Sequence, residues 1–213
     1  MEKKRIFNLI ILDASGSMSS IYEQALGGVN ETIATIRIAQ EKHPELEQHL
    51  TLVSFSEDLN IIYKTTPISL VRDITRADYP LLGCTALYDA MGQSISALQE
   101  SKKHSDCALV TIITDGYENA SHKWTGPQIK SIVTELRQMG WTFNYIGANQ
   151  DVEKVAGEIG VSNTMKFDAS PEGTSAMFKG YACCSEKFYD RVVCAKECCE
   201  EDLKFFIPTP DSK

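Results

Sequence analysis

The stretch that decides the fold has the sequence IFNLIILDASGS and covers residues 6–17. Its first seven residues are apolar except for Asn8, a pattern that predicts a buried strand, and its last five form a short polar loop. Asp13, Ser15 and Ser17 occupy alternate positions of this loop, with a glycine between the two serines. Carboxylate and hydroxyl oxygens are hard ligands of the kind that bind hard divalent cations. The loop therefore predicts a contribution to a metal site at the end of the first strand.

Length and composition indicate a globular chain of one domain, or of one domain with an appendage. The chain has 213 residues, and its 43% hydrophobic and 23% charged content is sufficient for a full core. The net charge of −8 argues against a nucleic-acid-binding surface, because no cluster of lysines and arginines offsets the acidic excess. No apolar stretch reaches the roughly 18 residues of a membrane span, and the first strand lacks the cleavage site of a signal peptide. We therefore expect a cytoplasmic protein without membrane or nucleic-acid partners.

Cysteines are concentrated near the C-terminus. No two of the seven are separated by two residues, so a structural zinc site of the common type is poorly supported. Cys194 and Cys198 would share a helix face, which leaves a two-cysteine contribution to a metal site open. Reduced thiols on a cytosolic helix are favoured, because free cysteine behaves as a small hydrophobic residue.

Strand and helix patterns alternate along most of the chain. A helix capped by Ser19 or Ser20 is predicted up to Lys42, and Gly27 and Gly28 inside it predict a close approach to a sheet. The next two strands are separated by three polar residues, which indicates a hairpin. The hairpin strands are 49–55 and 59–65, and further strands are predicted at 107–114, 142–146 and 164–167. Further predicted helices begin near 86 and cover 127–139, 151–159 and roughly 171–204.

This alternation predicts an α/β fold with a doubly wound, mostly parallel sheet, one antiparallel edge strand and a C-terminal helical extension. Ligands of such sheets bind outside the carboxyl ends of the strands. Asp13 and Asp115 both lie in loops at carboxyl ends, and Thr85 lies just ahead of a helix on the connection toward the second of these strands. We expect the three segments to meet at one crevice.

Three short motifs occur in a fixed order: Asp-x-Ser-x-Ser at 13–17, Gly-Cys-Thr at 83–85 and Thr-Asp-Gly at 114–116. Together they resemble the von Willebrand factor A (VWA) domain, whose motifs build a metal-ion-dependent adhesion site (MIDAS). The resemblance covers roughly residues 5–168. It implies a VWA domain over 1–168, with a helical extension over 169–204 that packs on it and a tail over 205–213.

The resemblance also implies a role for each motif residue. Ser15 and Ser17 would coordinate the cation directly, Thr85 directly or through water, and Asp13 and Asp115 mainly through waters and hydrogen bonds. Mg²⁺ suits such an oxygen set, and Mn²⁺ could replace it. Because neutral hydroxyl ligands leave much of the metal charge uncompensated, the carboxylate of a partner is a favourable additional ligand.

Each motif also has a simpler structural explanation. Asp13 and Ser15 could form a turn that caps the next helix, Thr85 could be only a helix cap, and Asp115 could lie in an ordinary turn. Their joint occurrence favours the metal site. His122 is a further candidate ligand, although a solvated loop histidine is favoured. Residues of the same loops that could tune recognition are Met18, Ser19, Tyr117, Glu118, Asn119 and His122.

The resemblance implies a non-catalytic protein-binding module of the intracellular bacterial or phage type, whose unidentified partner offers an Asp or Glu. One alternative is a Mg²⁺-dependent phosphatase, but Ser15 stands where such an enzyme needs its second acid. Nucleophile-elbow, dinucleotide-binding and P-loop motifs do not occur in the sequence. The other alternative is a metal-independent scaffold that acts through its C-terminal helix. The sequence leaves the oligomeric state open.

Overall fold

A computed structural model describes residues 3–103, 106–194 and 205–206 of the chain. The predicted continuation of the last helix to residue 204 lies outside these residues, as do Cys198 and Cys199. For Cys194 only the backbone is described. The metal contribution considered for the C-terminal cysteines therefore concerns residues outside the described chain.

The described residues form a sheet of six strands in the order β3-β2-β1-β4-β5-β6. Neighbouring strands are parallel, except that β3 runs antiparallel to β2 at one edge. The fold class predicted from the sequence is therefore confirmed, including the hairpin and its antiparallel edge strand. The strands are β1 (Lys4–Asp13), β2 (Leu46–Phe55), β3 (Leu59–Pro67), β4 (Cys107–Thr114), β5 (Thr142–Gly147) and β6 (Asn163–Lys166).

Helices cover both faces of this sheet. They are α1 (Tyr22–Lys42), α2 (Leu87–Ser101), α3 (Gly126–Gln138), α4 (Val152–Glu158) and α5 (Pro171–Cys194), with 3₁₀ turns at Gly16–Ile21 and Ile68–Leu70. Side chains of β1 alternate between two hydrophobic cores, one shared with α1 and α5 and the other with α2, α3 and α4. This double burial explains why β1 and β4 are nearly continuous apolar runs. Within the described residues, every helix is too short or too polar to span a lipid bilayer.

The start of α1 differs from the sequence prediction. The chain continues from the Asp13 loop as a 3₁₀ turn, and α1 begins only at Tyr22, after Ile21 as the N-terminal cap residue. Ser19 and Ser20 are exposed and do not cap the helix. The turn is fixed by burial of Met18 and Ile21 in the core, so hydrophobic packing replaces the expected side-chain cap.

The glycine pair in α1 allows a close contact with a different element from the one predicted. A Cβ atom at Gly28 would lie 2.0 Å from the Cδ2 atom of Phe178, whereas one at Gly27 would have no atom within 4 Å. Phe178 belongs to α5, so the close approach is between α1 and α5 and not between α1 and the sheet. One glycine of the pair makes room for an aromatic ring, and the other faces open space.

Helix α5 is attached to the sheet by polar contacts as well as by its apolar face. The Tyr189 hydroxyl donates to Asn8 Oδ1 at 2.8 Å, and the Tyr181 hydroxyl lies 2.9 Å from Thr111 Oγ1. Both tyrosines are buried, so these hydrogen bonds satisfy polar atoms inside the core. The domain boundary at residue 168 stays a prediction.

Candidate metal centre

The predicted site residues lie on three segments at one end of the sheet. Asp13 is the last residue of β1, and Asp115 follows the last residue of β4. These strands are neighbours, with Leu12 aligned to Ile113. Thr85 lies two residues before α2. Since parallel strands end at the same sheet edge, the topology brings the first and third motifs side by side.

Hydrogen bonds join the first motif to the third. Ser15 N–H donates to Asp13 Oδ1 at 2.7 Å, and the Ser15 and Ser17 hydroxyl oxygens are 3.0 Å apart. The Ser17 hydroxyl donates to Asp115 Oδ1 at 2.5 Å. Thr114 of β4 donates its hydroxyl to Asp13 Oδ2 at 2.5 Å. The two carboxylates therefore belong to one network that spans β1 and β4.

Thr85 completes this cluster, as the surroundings of Gly116 show. A Cβ atom at Gly116 would lie 3.2 Å from Thr85 Oγ1, 3.7 Å from Ser17 Oγ and 3.9 Å from Asp13 Oδ2. Oxygens from the first and second motifs therefore lie around a backbone position of the third motif. Together with the Ser15–Ser17 and Ser17–Asp115 contacts, this geometry brings all five predicted site residues together.

The chemistry of the cluster fits a hard cation. It offers two carboxylates and three hydroxyls, and Asp13, Ser15, Thr85 and Asp115 are each at least 96% buried. Burial raises the pKa of the Asp13 carboxyl above its ordinary value, against hydrogen bonds from Thr114 and Ser15. Burial likewise raises the pKa of Asp115, against the hydrogen bond from Ser17. A bound cation would compensate the charge that burial disfavours.

Side chains of the described residues do not provide that compensation, since no ion pair among them involves Asp13 or Asp115. Nor does the described chain contain a group of three or more His, Cys, Asp and Glu side chains that could hold a metal. Besides Asp13 and Asp115, the oxygens that this cluster offers a cation are the hydroxyls of Ser15, Ser17 and Thr85.

The family model of the von Willebrand factor type A domain matches residues 9–177. The chain belongs to this family. The match runs through all three motif segments and ends inside α5, which begins at Pro171. No curated protein sequence matches the chain.

Solved structures show the same fold at low sequence identity. The PilB minor pilin from Streptococcus sanguinis is 13% identical, with a TM-score of 0.63 over 92% of this chain and 64% of its own. The pilus adhesin SpaC from Lactobacillus rhamnosus GG is 14% identical, with a TM-score of 0.66 over 89% and 31%. BatB from Bacteroides thetaiotaomicron is 13% identical, with a TM-score of 0.54 over 85% and 98%. The chain thus spans less than two thirds of PilB and SpaC and nearly all of BatB.

In this VWA domain, Asn119 fixes the position of Thr85. The Thr85 N–H donates to Asn119 Oδ1 at 2.8 Å, and the Asn119 N–H donates to the Thr85 carbonyl at 3.0 Å. The two residues are therefore clamped by a reciprocal pair of bonds. The sequence suggested a recognition role for Asn119, but the structure directs its side chain to the backbone of the second motif.

Two carboxylates attach the loop after β4 to the N-terminus of α2. Glu118 accepts hydrogen bonds from the backbone N–H groups of Tyr88, Ala120 and Ser121 at 2.7–2.9 Å. Asp89, in the first turn of α2, accepts backbone N–H bonds from His122, Lys123 and Trp124 at 2.7–3.0 Å. These bonds hold the second and third motifs in one rigid arrangement.

Sequence reasoning missed Asp89, although an acidic residue in the first helical turn is a recognisable signal. His122, considered as a ligand, is exposed, and its backbone N–H donates to Asp89. Of the loop residues considered for recognition, Ser19 and Tyr117 are also exposed, whereas Met18 is buried in the core.

Proposed function

We propose that this VWA domain binds a divalent cation, Mg²⁺ or Mn²⁺, and through it an Asp or Glu residue of a partner protein. The observation that carries the proposal is the convergence of Asp13, Ser17 and Thr85 oxygens around Gly116, with two buried carboxylates and no described ion pair to compensate them. A bound cation would supply an electrophilic position at which an incoming carboxylate can coordinate.

The hydroxyls and the carboxylates of the cluster would have different roles in cation binding. Ser15, Ser17 and Thr85 would be the hydroxyl ligands. Asp13 orients Ser15 by accepting a hydrogen bond from the Ser15 backbone N–H, and Asp115 accepts a hydrogen bond from the Ser17 hydroxyl, so each carboxylate aligns the oxygens beside it. Because the ligand hydroxyls are neutral, the positive charge stays available to a partner carboxylate.

The domain is proposed to be non-catalytic. The network contains hydrogen-bonded hydroxyls and two carboxylates from different segments, but position 15, where a phosphatase would have its second acid, is a serine. A phosphatase screen checks this point: metal-dependent turnover that disappears in Asp13→Asn would overturn it. The cytoplasmic location and the intracellular bacterial or phage type stay predictions.

Calorimetric titration of Mg²⁺ and Mn²⁺ into chelator-treated protein tests cation binding. We expect one site in the wild type and loss of binding in Ser15→Ala and Asp13→Ala. Ser20→Ala is the matched control, since Ser20 is an exposed serine of the same turn outside the network. Equal binding by all four proteins would contradict the site assignment.

Capture of partners with and without chelator tests the second half of the proposal. Partners bound through the cation should be lost in chelator and with Ser15→Ala. Partners retained under both conditions would instead support the alternative of a metal-independent scaffold.

A further inference from the structure

An open cavity of about 880 Å³ lies beside the proposed metal site, around the carboxyl ends of β5 and β6. Its lining includes Tyr117, two residues after Asp115, and Gln150 from the loop that follows β5. The Ala148 N–H donates to the Thr114 carbonyl at 3.1 Å, so this loop is attached to the strand end that carries the third motif. The loop that lines the cavity is therefore fixed beside the strand end that leads into the proposed metal site.

Gln150 is a buried polar side chain with unused hydrogen-bonding capacity. It is 6% exposed, and its Nε2 donates to the Tyr145 hydroxyl at 3.0 Å. Its Oε1 has no hydrogen-bond partner among the described residues. A buried amide oxygen without a partner is unfavourable, so a ligand that brings an N–H donor into this cavity gains from satisfying it.

The charge of the lining specifies what kind of donor fits. Asp151, Glu153 and Asp168 are exposed carboxylates of the lining, and Lys166 is the basic residue among the described lining residues. No ion pair within the described part of the chain involves these four side chains. Asp151 caps α4 by accepting the Lys154 N–H, which leaves Glu153 and Asp168 for a ligand. The described lining carries three carboxylates and one lysine, so its net negative charge favours a positively charged group of a ligand.

We propose that this cavity binds a basic side chain, arginine or lysine, of the same partner that offers its acidic residue to the cation. The identity of the partner rests on the proposed function, whereas the cavity's preference for a basic group does not. The basic group lies near the carboxylates of Glu153 and Asp168, and it donates to Gln150 Oε1 once the Gln150 side chain turns this buried oxygen toward the cavity. Tyr117, 54% exposed, offers an aromatic face beside it. The partner segment thus carries both an acidic and a basic residue.

An NMR titration in chelator tests the cavity independently of the metal. The probe is N-acetyl-arginine methylamide, and N-acetyl-citrulline methylamide is its neutral counterpart of nearly the same shape. We expect saturable shifts of the backbone amide signals of Gln150 and Asp168 with the arginine probe. The citrulline probe should bind at least about fivefold more weakly, since it lacks the charge. Equal binding of the two probes, or no saturable shift at these residues, would overturn the proposal.

Charge-removing variants locate the binding. Glu153→Gln and Asp168→Asn should each weaken arginine binding by about two- to fivefold, the usual effect of one exposed charge. Asp58→Asn is the matched control, because Asp58 lines a second cavity of about 420 Å³ that includes Gly83 of the second motif. It should leave binding unchanged. Gln150→Met should weaken binding by removing the amide acceptor. Weakening by Asp58→Asn equal to that by Asp168→Asn would mean a non-specific charge effect and reject the cavity.

Selection from a peptide library with one fixed aspartate, in Mg²⁺, tests the link to the metal site. We expect enrichment of arginine or lysine at one spacing from the aspartate, and loss of this preference in the double variant Glu153→Gln/Asp168→Asn. Mg²⁺-dependent selection without a basic preference would overturn the shared-partner inference and leave the proposed function intact. Absence of any Mg²⁺-dependent selection would count against the proposed function, and the titration in chelator then decides for or against the cavity.

Discussion

At the scale of single residues, the candidate metal centre depends on side chains that would not themselves touch a cation. Asn119 makes a reciprocal pair of hydrogen bonds with the backbone of Thr85, at 2.8 and 3.0 Å. Gly83, two residues before Thr85, has a φ of +63°, a conformation that residues with a side chain rarely adopt. The hydroxyl of Thr85 is therefore placed by a turn on one side and by an amide on the other.

Asn119→Ala should weaken cation binding without unfolding the domain. The variant removes the acceptor of the Thr85 N–H, and a hydrogen bond of this kind contributes about 0.5–1.5 kcal/mol. We expect the dissociation constant of Mg²⁺ to rise by up to about tenfold in calorimetric titrations. Asn119→Asp keeps an acceptor oxygen and should retain most of the affinity. Unchanged affinity in Asn119→Ala would show that Thr85 needs no such support.

At the scale of elements, α1 and α5 are matched through one glycine. Gly28 leaves room for the ring of Phe178, whereas Gly27, its neighbour, faces open space. The sequence predicted a close approach for this pair but assigned it to the sheet. A glycine in the sequence indicates where a helix surface lacks a side chain, but it does not indicate which neighbouring element packs there.

Gly28→Ala and Gly27→Ala should have opposite effects on stability. Alanine at 27 gains helix propensity of up to about 1 kcal/mol and meets no neighbour. Alanine at 28 has the same gain, but its Cβ atom collides with Phe178, and overpacking typically costs about 1–3 kcal/mol. Urea unfolding of both variants measures the difference. Equal stabilisation by the two substitutions would contradict the packing of α5 on α1.

The attachment of the β4–α3 loop to α2 should weaken at acid pH, because it depends on the ionised carboxylate of Asp89. Burial would raise the pKa of this carboxyl, but three backbone N–H bonds outweigh it and lower the pKa below the ordinary value of 3.8. Because the folded state holds the proton less tightly than the unfolded state, Asp89 stabilises the fold above pH 3.8. That contribution is lost as the pH falls through the lowered pKa.

Asp89→Asn should therefore cost about 1.5–3 kcal/mol of unfolding free energy at pH 7, the range for hydrogen bonds to a charged group. The difference from wild type should shrink below about pH 3.8, as urea unfolding at several pH values would show. Asp73→Asn serves as control, since Asp73 forms an exposed pair with Arg37 and should change stability by about 1 kcal/mol or less. A pH-independent difference for Asp89→Asn would argue against a role of its charge.

Elements were easier to predict than their contacts. The apolar run of β4 and the polar turn of the hairpin mark their structures locally, so strand positions and the fold class followed from the sequence. The ligand candidates followed because parallel strands end at one edge. The bonds of Glu118, Asn119 and Asp89 join segments about 30 residues apart. No local pattern encodes such pairings, and the missing side-chain cap of α1 likewise reflects burial of Met18 and Ile21.

At the scale of the whole molecule, the order of strands explains the position of the candidate site. β1 lies between β2 and β4. The connection after β1 leads to β2 on one side of β1, whereas the connection after β4 leads to β5 in the opposite direction along the sheet. The loops after β1 and β4 diverge at this point and leave a crevice. The cluster of Asp13, Ser17 and Asp115 occupies it, supported by strands on both sides.

Cation binding should be visible in the stability of the entire domain. A ligand that binds only the folded state at about 100 times its dissociation constant adds about 2.7 kcal/mol to the free energy of unfolding. For a chain of this size that corresponds to a rise in Tm of about 5–10 °C. Thermal unfolding of chelator-treated protein, with and without added Mg²⁺, measures it. Ser15→Ala should show no such rise, and a rise equal to that of the wild type would indicate binding elsewhere.

The surroundings of Gly116 have a consequence for how this domain could change in evolution. Its backbone does not require glycine by conformation, since only Gly83, Gly140 and Gly160 among the described glycines have positive φ. What it supplies is empty space next to three site oxygens, within 3.2–3.9 Å of where a methyl group would lie. A single Gly116→Ala substitution would therefore crowd the Thr85 hydroxyl and fill part of the space between these oxygens, while all five candidate site residues remain. Copies with a weakened cation site could thus arise in one mutational step.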